Sequence, residues 1–204
     1  MKPYQLITAG TFLLLLTTII SCKPSAEEFF KEGNKVLGKN YNGAVAAYTQ
    51  AITLNPNYAE AYANRSIAEF ALHSYSASIK DSEYALKLNP KLNGCYYNIA
   101  ISKKGLKDYA GSIQSFAQAI ALNYKDAACF YGRAQAKEEL NDYAGALQDY
   151  NQAINLLPKK AYIYSLRGQL KIKMNDKNGA CADLHQAVEL GEKDAQSYIN
   201  GNCK

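Results

Sequence analysis

The sequence predicts an all-α fold: an α-solenoid of five helix-turn-helix pairs closed by a short C-terminal helix. Alanine recurs every 34 residues, which is the spacing of stacked helix pairs, at Ala51, Ala85, Ala119, Ala153 and Ala187. Two more columns keep this interval, at Tyr41, Tyr75, Tyr109 and Tyr143 and at Leu54, Leu88, Leu122, Leu156 and Leu190. Chance does not align so many columns, so the repeat itself indicates the architecture.

The first residues predict an export signal. Lys2 is followed by a mostly apolar run, Leu6 to Ile20, which closes on Ile19-Ile20-Ser21-Cys22. A run of about fifteen residues fits a secretory signal, because a membrane-spanning helix needs ~20. The closing residues resemble a bacterial lipobox, which implies that Cys22 receives a diacylglyceryl group and that residues 1–21 are removed. The alternative is an ordinary cleaved signal with an incidental cysteine.

The lipobox resemblance carries an expectation about location. Residues 22–25 would form the lipidated N-terminus and a short linker, and acyl chains on Cys22 would attach the protein stably to a membrane. We therefore expect a lipid-anchored protein of the bacterial cell envelope. Lys23, directly after the lipid site, matches outer-membrane sorting in other lipoproteins, whereas the face of the membrane stays open.

Charge and composition argue against nucleic acid as a partner. The formal net charge is +5, and the lysines are scattered over turns and helix ends without forming a run. The electrostatic footprint of a nucleic-acid-binding protein is therefore missing. The chain has 17 tyrosines and no tryptophan. Because tyrosine covers apolar surface and still offers a hydroxyl, this usage suits both helix packing and a binding face.

The cysteines predict one disulfide. Five are present, and four remain for the folded part once Cys22 is assigned to lipid. Because an exported chain meets an oxidising compartment, we expect Cys181 to pair with Cys203 in the tail; the alternative is two reduced thiols. Cys95 and Cys129 are expected to stay free, because equivalent positions in neighbouring repeats lie too far apart for a bridge. Cys181 shares a core column with Val45, Ile79, Ile113 and Leu147.

Each repeat is predicted to contain two amphipathic helices of about fourteen residues, since its apolar residues fall at helical spacing. A polar turn residue, such as Asp108 or Asp142, is expected to cap the second helix, and the tyrosine after it to wedge the helices apart. Small residues mark the helix contacts, at Gly33, Ser66, Ala100, Ala134, Gly168, Ala44, Ser78, Ser112, Ala146 and Ala180. Large side chains are expected to fill the holes, at Phe29, Tyr62, Tyr96, Phe130 and Tyr164.

These columns resemble the tetratricopeptide repeat (TPR) family over residues 26–194. The family pattern is met, for example, by Phe130, Ala134, Tyr143, Ala146, Tyr150, Ala153 and Pro158. The resemblance implies five TPR helix-turn-helix repeats, at 26–58, 59–92, 93–126, 127–160 and 161–194, followed by a C-terminal cap at 195–204. Residues Ala195 to Cys203 look like the start of a sixth first helix that is kept as a solvating cap.

The resemblance also implies a binding site. Repeats of this family stack into a superhelix with a concave groove and generally bind protein segments along the inner face of the first helices. Carried over to this sequence, that face gives a peptide-binding groove of Asn34, Asn64, Ile67, Tyr97, Asn98, Ile101, Tyr131, Gln135, Tyr162, Ser165 and Gln169. Amides and tyrosines can hydrogen-bond a peptide backbone without requiring a charge. The alternative for any one residue is that it covers a solvated face.

One subtype of the family does not fit. Members that grip the C-terminal carboxylate of heat-shock chaperones use two asparagines, matched here by Asn34 and Asn64, together with lysines and an arginine. The positions of those cations hold Phe30, Gly94 and Asn98. A buried carboxylate without a cation would be poorly neutralised, so this ligand is not expected.

The sequence offers no site for catalysis. Its two histidines, His73 and His185, lie three repeats apart, so neither has a partner for a metal or a nucleophile. No glycine-rich phosphate loop, paired-cysteine zinc motif or nucleophile elbow appears. We therefore expect the protein not to be an enzyme and to use no cofactor, metal or small-molecule substrate.

The sequence favours a non-enzymatic, membrane-anchored TPR lipoprotein that holds a protein or peptide partner in its groove, as an adaptor or scaffold. A narrower alternative resembles pilotin-type and barrel-assembly lipoproteins, which use the same anchor and repeats to assemble an outer-membrane complex. A third class, a catalytic protein that uses repeats for docking, would need a second domain, for which we expect no room in this sequence.

Overall fold

The structure is a computed structural model that describes residues 23–122 and 126–203. These residues form eleven α-helices and no strand. The helices are α1 (Ala26–Val36), α2 (Tyr41–Leu54), α3 (Ala59–Ala71), α4 (Tyr75–Leu88), α5 (Gly94–Gly105), α6 (Tyr109–Ala121), α7 (Ala127–Glu139), α8 (Tyr143–Leu156), α9 (Ala161–Lys173), α10 (Lys177–Glu189) and α11 (Ala195–Asn202). The predicted lipid site, Cys22, lies outside the described residues.

The first ten helices form five pairs, and the pairs stack in chain order. Each first helix packs on the second helix of its own repeat, and from α3 onward also on the second helix of the repeat before it. The short α11 packs mainly on α10 and covers the last repeat. The predicted all-α solenoid of five helix pairs with a capping helix is confirmed.

The turn inside each repeat depends on one residue in the left-handed backbone region. His73, Lys107, Asn141 and Asn175 have φ values of 60°, 62°, 61° and 62°, and Gly38 takes the corresponding place in the first repeat with φ 85°. A left-handed residue just after a helix ends it and lets its last carbonyls be satisfied. This residue ends the first helices after 11 to 13 residues, slightly earlier than predicted.

The predicted polar caps of the second helices are present. The side chains of Asp108 and Asp142 accept hydrogen bonds from the backbone amides of Gly111 and Gly145, each at 2.9 Å. A Cβ atom on Gly111 would overlap the Asp108 carboxylate, so the glycine three residues after the cap leaves room for it. The same pair recurs as Asp176 and Gly179. Such a cap marks the start of α2, α6, α8 and α10, whereas Ser74 at the start of α4 forms no side-chain cap hydrogen bond.

The predicted small residues lie where the helices touch. All ten are buried, and eight of them are serines or alanines with no exposed surface. At Gly33, a Cβ atom would lie 2.5 Å from the ring of Tyr48 on the facing helix. At Gly168, it would lie 2.9 Å from Cγ of Leu184. The small side chains therefore allow the close approach of the helices, as predicted.

The prediction for the large residues was wrong in part. The aromatic residues near the start of each first helix are only half-buried. The large side chains that are fully buried include a column on the second helices, at Tyr48, Phe116, Tyr150 and Leu184. Side chains of this column face the first helix of their own or the next repeat, as Phe116 does against Gly132. In the second repeat, the same column holds Ser82, whose buried hydroxyl has no hydrogen-bond partner.

Three of these five half-buried aromatic residues, Tyr62, Phe130 and Tyr164, lie beside an arginine that forms an ion pair. In the fourth repeat, the guanidinium of Arg133 lies 5.8 Å from the centre of the Phe130 ring and donates two hydrogen bonds to the buried carboxylate of Asp149. The arrangement repeats as Arg65 with Asp81 and Tyr62, and as Arg167 with Asp183 and Tyr164. The ring thus covers a charged group from solvent.

The C-terminal helix is attached to the stack in two ways. Ala195 and Ile199 of α11 pack against Leu184 and Ala187 of α10. A disulfide joins Cys181 to Cys203, with Cα atoms 5.6 Å apart. The two other described cysteines, Cys95 and Cys129, are free and buried. No helix in the described part of the chain has the length and apolar character needed to cross a membrane.

Candidate functional site: the groove along the first helices

Three pockets lie along the surface formed by the first helices α1, α3, α5, α7 and α9 together with α11, which we call the groove. The first, of about 180 Å³, lies between α3 and α5. The second, of about 340 Å³, lies chiefly between α7 and α9, and we call it the crevice. The third, of about 390 Å³, lies between α9 and α11. Seven of the eleven predicted groove residues line these pockets: Asn64, Ile67, Asn98, Gln135, Tyr162, Ser165 and Gln169.

The N-terminal part of the groove combines amides with an exposed isoleucine. Asn34 Oδ1 accepts hydrogen bonds from the Tyr48 hydroxyl and from Asn64 Nδ2, both at 2.8 Å. Both acceptor positions of the Asn34 oxygen are therefore used, which leaves its amide N–H groups as the hydrogen-bonding groups it offers to a ligand. Ile67 is 40% exposed beside the first pocket, whose other walls include Leu92.

Two predicted groove residues are buried. Asn98 is 8% exposed and donates a hydrogen bond from Nδ2 to Ser66 Oγ at 3.0 Å. Ser165 is 7% exposed, and its hydroxyl accepts a hydrogen bond from Gln169 Nε2 at 3.3 Å. Both line a pocket wall, but the Asn98 hydrogen bond joins two successive repeats, and the Ser165 hydrogen bond lies within α9. The remaining nine predicted residues have half-buried or exposed side chains.

Aromatic rings form the middle of the groove. The rings of Tyr131 on α7 and Tyr162 on α9 meet edge to face, with centroids 5.4 Å apart. Tyr97 on α5 packs edge to face on Phe116, at 5.9 Å, and Ile101 lies one turn further along α5. Burial, followed by the nearby Tyr97 and Tyr162, raises the pKa of Tyr131, so its hydroxyl stays neutral at physiological pH. These rings offer rigid, uncharged contact area.

The crevice joins two predicted groove residues to seven that the sequence reasoning did not assign to the groove. Gln135 and Gln169 line it, together with Lys104, Tyr109, Glu138, Glu139, Tyr150, Leu166 and Lys173. Lys104 and Glu138 each lie three residues after a predicted groove residue, Ile101 and Gln135. Residues three apart on a helix share a face, so this spacing could have identified them.

The charges in the crevice are arranged asymmetrically. The carboxylate of Glu138 accepts a hydrogen bond from the Tyr150 hydroxyl at 2.6 Å and one from Lys173 Nζ at 2.9 Å. Lys104 Nζ donates to the neutral amide oxygen of Gln135 at 2.6 Å. Burial lowers the pKa of Lys104, and Glu139 opposes this effect. The crevice therefore contains two carboxylates, the well-satisfied Glu138 and Glu139. Of its two ammoniums, Lys173 pairs with Glu138, whereas Lys104 forms no ion pair with an acid in the described part of the chain.

Among the described residues, no group of three or more histidine, cysteine, aspartate and glutamate side chains is placed to hold a metal ion. His73 Nδ1 lies 2.8 Å from the Tyr75 hydroxyl, and His185 Nδ1 lies 2.7 Å from the Cys181 carbonyl. Both histidines are exposed. The chemistry that this groove offers is therefore noncovalent contact through amides, aromatic rings and a few charges.

Comparison with known proteins agrees with the repeat pattern. The tetratricopeptide repeat family matches residues 97–161 and, in a second match, residues 38–58. The chain contains tetratricopeptide repeats. It is 46% identical over 59 residues to the human small glutamine-rich tetratricopeptide repeat-containing protein beta. It is 40% identical over 62 residues to the small glutamine-rich tetratricopeptide repeat-containing protein 2 of Saccharomyces cerevisiae. These matches cover 28% and 30% of the chain but only 19% and 18% of the relatives, so it spans about a fifth of their length.

Solved structures share the fold of this TPR solenoid. MamA from Desulfovibrio magneticus RS-1 superposes with a TM-score of 0.74 at 17% identity, over 81% of this chain and 94% of that one. YrrB, described as a TPR protein with an unusual peptide-binding site, superposes with a TM-score of 0.70 at 17% identity, over 86% and 92%. A thermophilic TPR protein of Thermus thermophilus superposes with a TM-score of 0.68 at 18% identity, over 88% of this chain and 99% of that one.

Proposed function

We propose that this chain is a non-enzymatic adaptor that binds a segment of another protein, or a peptide, in its groove. TPR proteins bind peptides or proteins in this way and are generally not enzymes. The observation that supports the proposal is the continuity of the groove: side chains from successive repeats meet across it, as Asn34 with Asn64 and Tyr131 with Tyr162. An extended segment lying across the first helices would reach the apolar pocket at Ile67, the tyrosines and the crevice.

Crosslinking to native partners tests the groove. The full-length chain is expressed in its bacterial host, crosslinked in membranes and captured beside the Tyr131→Ala variant. Tyr84→Ala is the matched control, because Tyr84 is 39% exposed but lies on the second helix α4. We expect a partner that the native chain and the control capture and that Tyr131→Ala loses. Capture of the same partner by Tyr131→Ala, in a variant that still folds, would move the binding site to another surface.

A lipid anchor at Cys22 is the second part of the proposal. Its support is the resemblance of Ile19-Ile20-Ser21-Cys22 to a lipobox, and it would place the adaptor in the bacterial cell envelope, at the outer membrane. Metabolic labelling with an alkyne analogue of palmitate tests it. Label should enter the native chain and a Cys95→Ser variant but not Cys22→Ser, which should also leave the membrane fraction. Label that persists in Cys22→Ser would contradict the anchor.

The alternative is an assembly factor resembling the pilotin-type and barrel-assembly lipoproteins. The same lipobox resemblance supports it, because those proteins combine a lipid anchor with repeats. The two proposals differ in what deletion does to the outer membrane. Loss of an assembly factor should deplete one particular outer-membrane complex in quantitative proteomics. Loss of a general adaptor should leave the abundance of those complexes unchanged.

A further inference from the structure

The crevice contains a half-buried ammonium without an acidic partner. Lys104 lies on α5 and reaches the crevice between α7 and α9, where its Nζ donates to Gln135 Oε1 at 2.6 Å. None of the carboxylates in the described part of the chain forms an ion pair with it. A neutral amide satisfies one of the three N–H groups of an ammonium, so Lys104 keeps capacity for a further acceptor.

The other charged groups of the crevice do not meet this need. Glu138 is held by the Tyr150 hydroxyl and by Lys173, so moving it to Lys104 would break both contacts. Glu139 acts on Lys104 through its charge, but the loss of hydration on burial is the larger effect, and the pKa of Lys104 is lowered overall. Other lysines on the first helices, Lys137 and Lys171, pair with the buried Asp149 and Asp183. Lys104 thus differs from them in lacking a carboxylate.

We infer that the crevice takes up an aspartate or glutamate side chain of the bound peptide, whose carboxylate pairs with Lys104. A carboxylate would accept a charge-assisted hydrogen bond from Lys104. This interaction would offset part of the hydration that the ammonium loses on burial. The amides of Gln135 and Gln169 line the same wall, and Leu166 offers contact to the methylene groups of the ligand. A volume of about 340 Å³ accommodates one such side chain. The inference rests on the groove being the peptide site.

This cation stands apart from the positions used by the subtype that binds chaperone C-termini. Those positions hold Phe30, Gly94 and Asn98, toward the N-terminal half of the groove. Lys104 lies near the end of α5, and the crevice it enters is walled by the fourth and fifth repeats. The carboxylate of the ligand is therefore inferred from the residues of the crevice and not from the resemblance to that subtype. It belongs to an acidic side chain within the bound segment, so the crevice does not require the C-terminus of a peptide.

A peptide selection provides the test. The full-length chain, biotinylated and held in detergent micelles, is offered a phage-displayed library of random 12-residue peptides, whose C-termini are blocked by fusion. The strongest peptide is then synthesised with its acidic residue intact, with that residue changed to its amide, and with either a free or an amidated C-terminus. Affinities are measured by fluorescence polarisation against the native chain and four variants: Lys104→Met, Lys104→Arg, Lys80→Met and Tyr131→Ala. Lys80 is an exposed lysine of α4 and controls for net charge.

The native chain should select peptides with Asp or Glu at a fixed position and bind them about 10-fold tighter than the amide versions. Lys104→Met should lose this preference, whereas Lys104→Arg and Lys80→Met should keep it. An acidic preference that survives Lys104→Met, or that follows the free C-terminus in place of the side chain, would overturn the inference. Peptides that bind without acidic preference but are lost by Tyr131→Ala would refute this inference alone. Failure to select any peptide whose binding is lost in Tyr131→Ala would instead contradict the proposal that the groove is the peptide-binding site.

Discussion

The ion-pair network of the fourth repeat gives the sharpest prediction for stability. Asp149 is the acceptor of two hydrogen bonds from Arg133, at 2.9 and 2.6 Å, and of an ion pair from Lys137 at 2.8 Å. Its side chain is only 4% exposed. The perturbation is Asp149→Asn, which keeps the shape of the side chain and removes its charge. Two cations then share a site with no carboxylate.

The expected cost follows from the burial of each partner. Removal of one member of a buried ion pair costs about 3–5 kcal/mol, because the other charge stays buried without compensation. Here the side chains of Arg133 and Lys137 are 20% and 17% exposed, so water can reach them in part. Asparagine also keeps one oxygen that can accept from Arg133. We therefore expect a loss of about 3 kcal/mol, at the lower end of that range.

The third repeat supplies a matched comparison from within the chain. At the positions equivalent to Arg133, Lys137 and Asp149, it holds Ile99, Lys103 and Ser115. The double variant Arg133→Ile/Asp149→Ser copies this natural solution into the fourth repeat. Replacing both members of a buried pair by residues that pack well is often nearly neutral. We expect the double variant to lose only about 1 kcal/mol, and so to be more stable than the single variant.

Urea denaturation of residues 23–204, followed by circular dichroism at 222 nm, measures these differences, with Asp194→Asn as a control. Asp194 is exposed and its side chain caps no helix, so this variant should stay within about 0.5 kcal/mol of the native chain. If Asp149→Asn lowers the free energy of unfolding by less than about 0.5 kcal/mol, the ion-pair network contributes little to stability. If the double variant is less stable than Asp149→Asn, the explanation by an uncompensated buried cation is refuted.

Three further predictions concern cysteines and serines. Burial raises the pKa of Cys95 to about 11 and that of Cys129 to about 12, so at pH 8 both stay protonated and should react slowly with Ellman's reagent; a fast thiol would contradict their burial. In urea without reductant, residues 23–204 should release two thiols, those of Cys95 and Cys129, and release of four would contradict the bridge between Cys181 and Cys203. Since these cysteines are 22 residues apart, Cys203→Ser should lower the free energy of unfolding by about 3 kcal/mol, and a reductant should then have no further effect. Ser82→Ala removes a buried hydroxyl without a hydrogen-bond partner and should stabilise the chain by about 1 kcal/mol in the same urea assay. Ser78→Ala should destabilise it, because it removes the acceptor of the Ser102 hydroxyl.

The sequence predicted the fold well because the repeat interval carries it. Every helix pair and the capping helix lie where the columns of alanine, tyrosine and leucine indicated. The small residues at the helix contacts were also identified correctly, since small side chains recur at the same positions in every repeat. The error concerned Phe130 and its equivalents, which are only half-buried; three of the five, Tyr62, Phe130 and Tyr164, lie against an arginine. That arrangement depends on Asp149, sixteen residues after Arg133 and on another helix, so local periodicity could not indicate it.

The groove was predicted less completely than the fold. Periodicity places residues on a face, but it does not fix how far each helix is rotated against its neighbours. Tyr97 and Asn98 are neighbours in the chain and were both assigned to the groove, but Tyr97 is half-buried and Asn98 is buried. Lys104 and Glu138 were missed for the opposite reason. They lie on the predicted face by helical spacing, but their accessibility follows from a gap between repeats that no column of one repeat describes.

The gap itself has an explanation in side-chain size. Gly132 on α7 allows the ring of Phe116 to come so close that a Cβ atom there would lie 2.5 Å from Cζ. One repeat later, the equivalent positions hold Leu166 and Tyr150, two large side chains that both line the crevice. Because two large side chains cannot approach as a ring and a glycine do, α9 packs less extensively on α8 than the earlier first helices pack on theirs. The same column holds Asn64, Asn98 and Gly132 in the earlier repeats, so the bulkier, apolar Leu166 is particular to the repeat whose first helix lines the space that Lys104 enters.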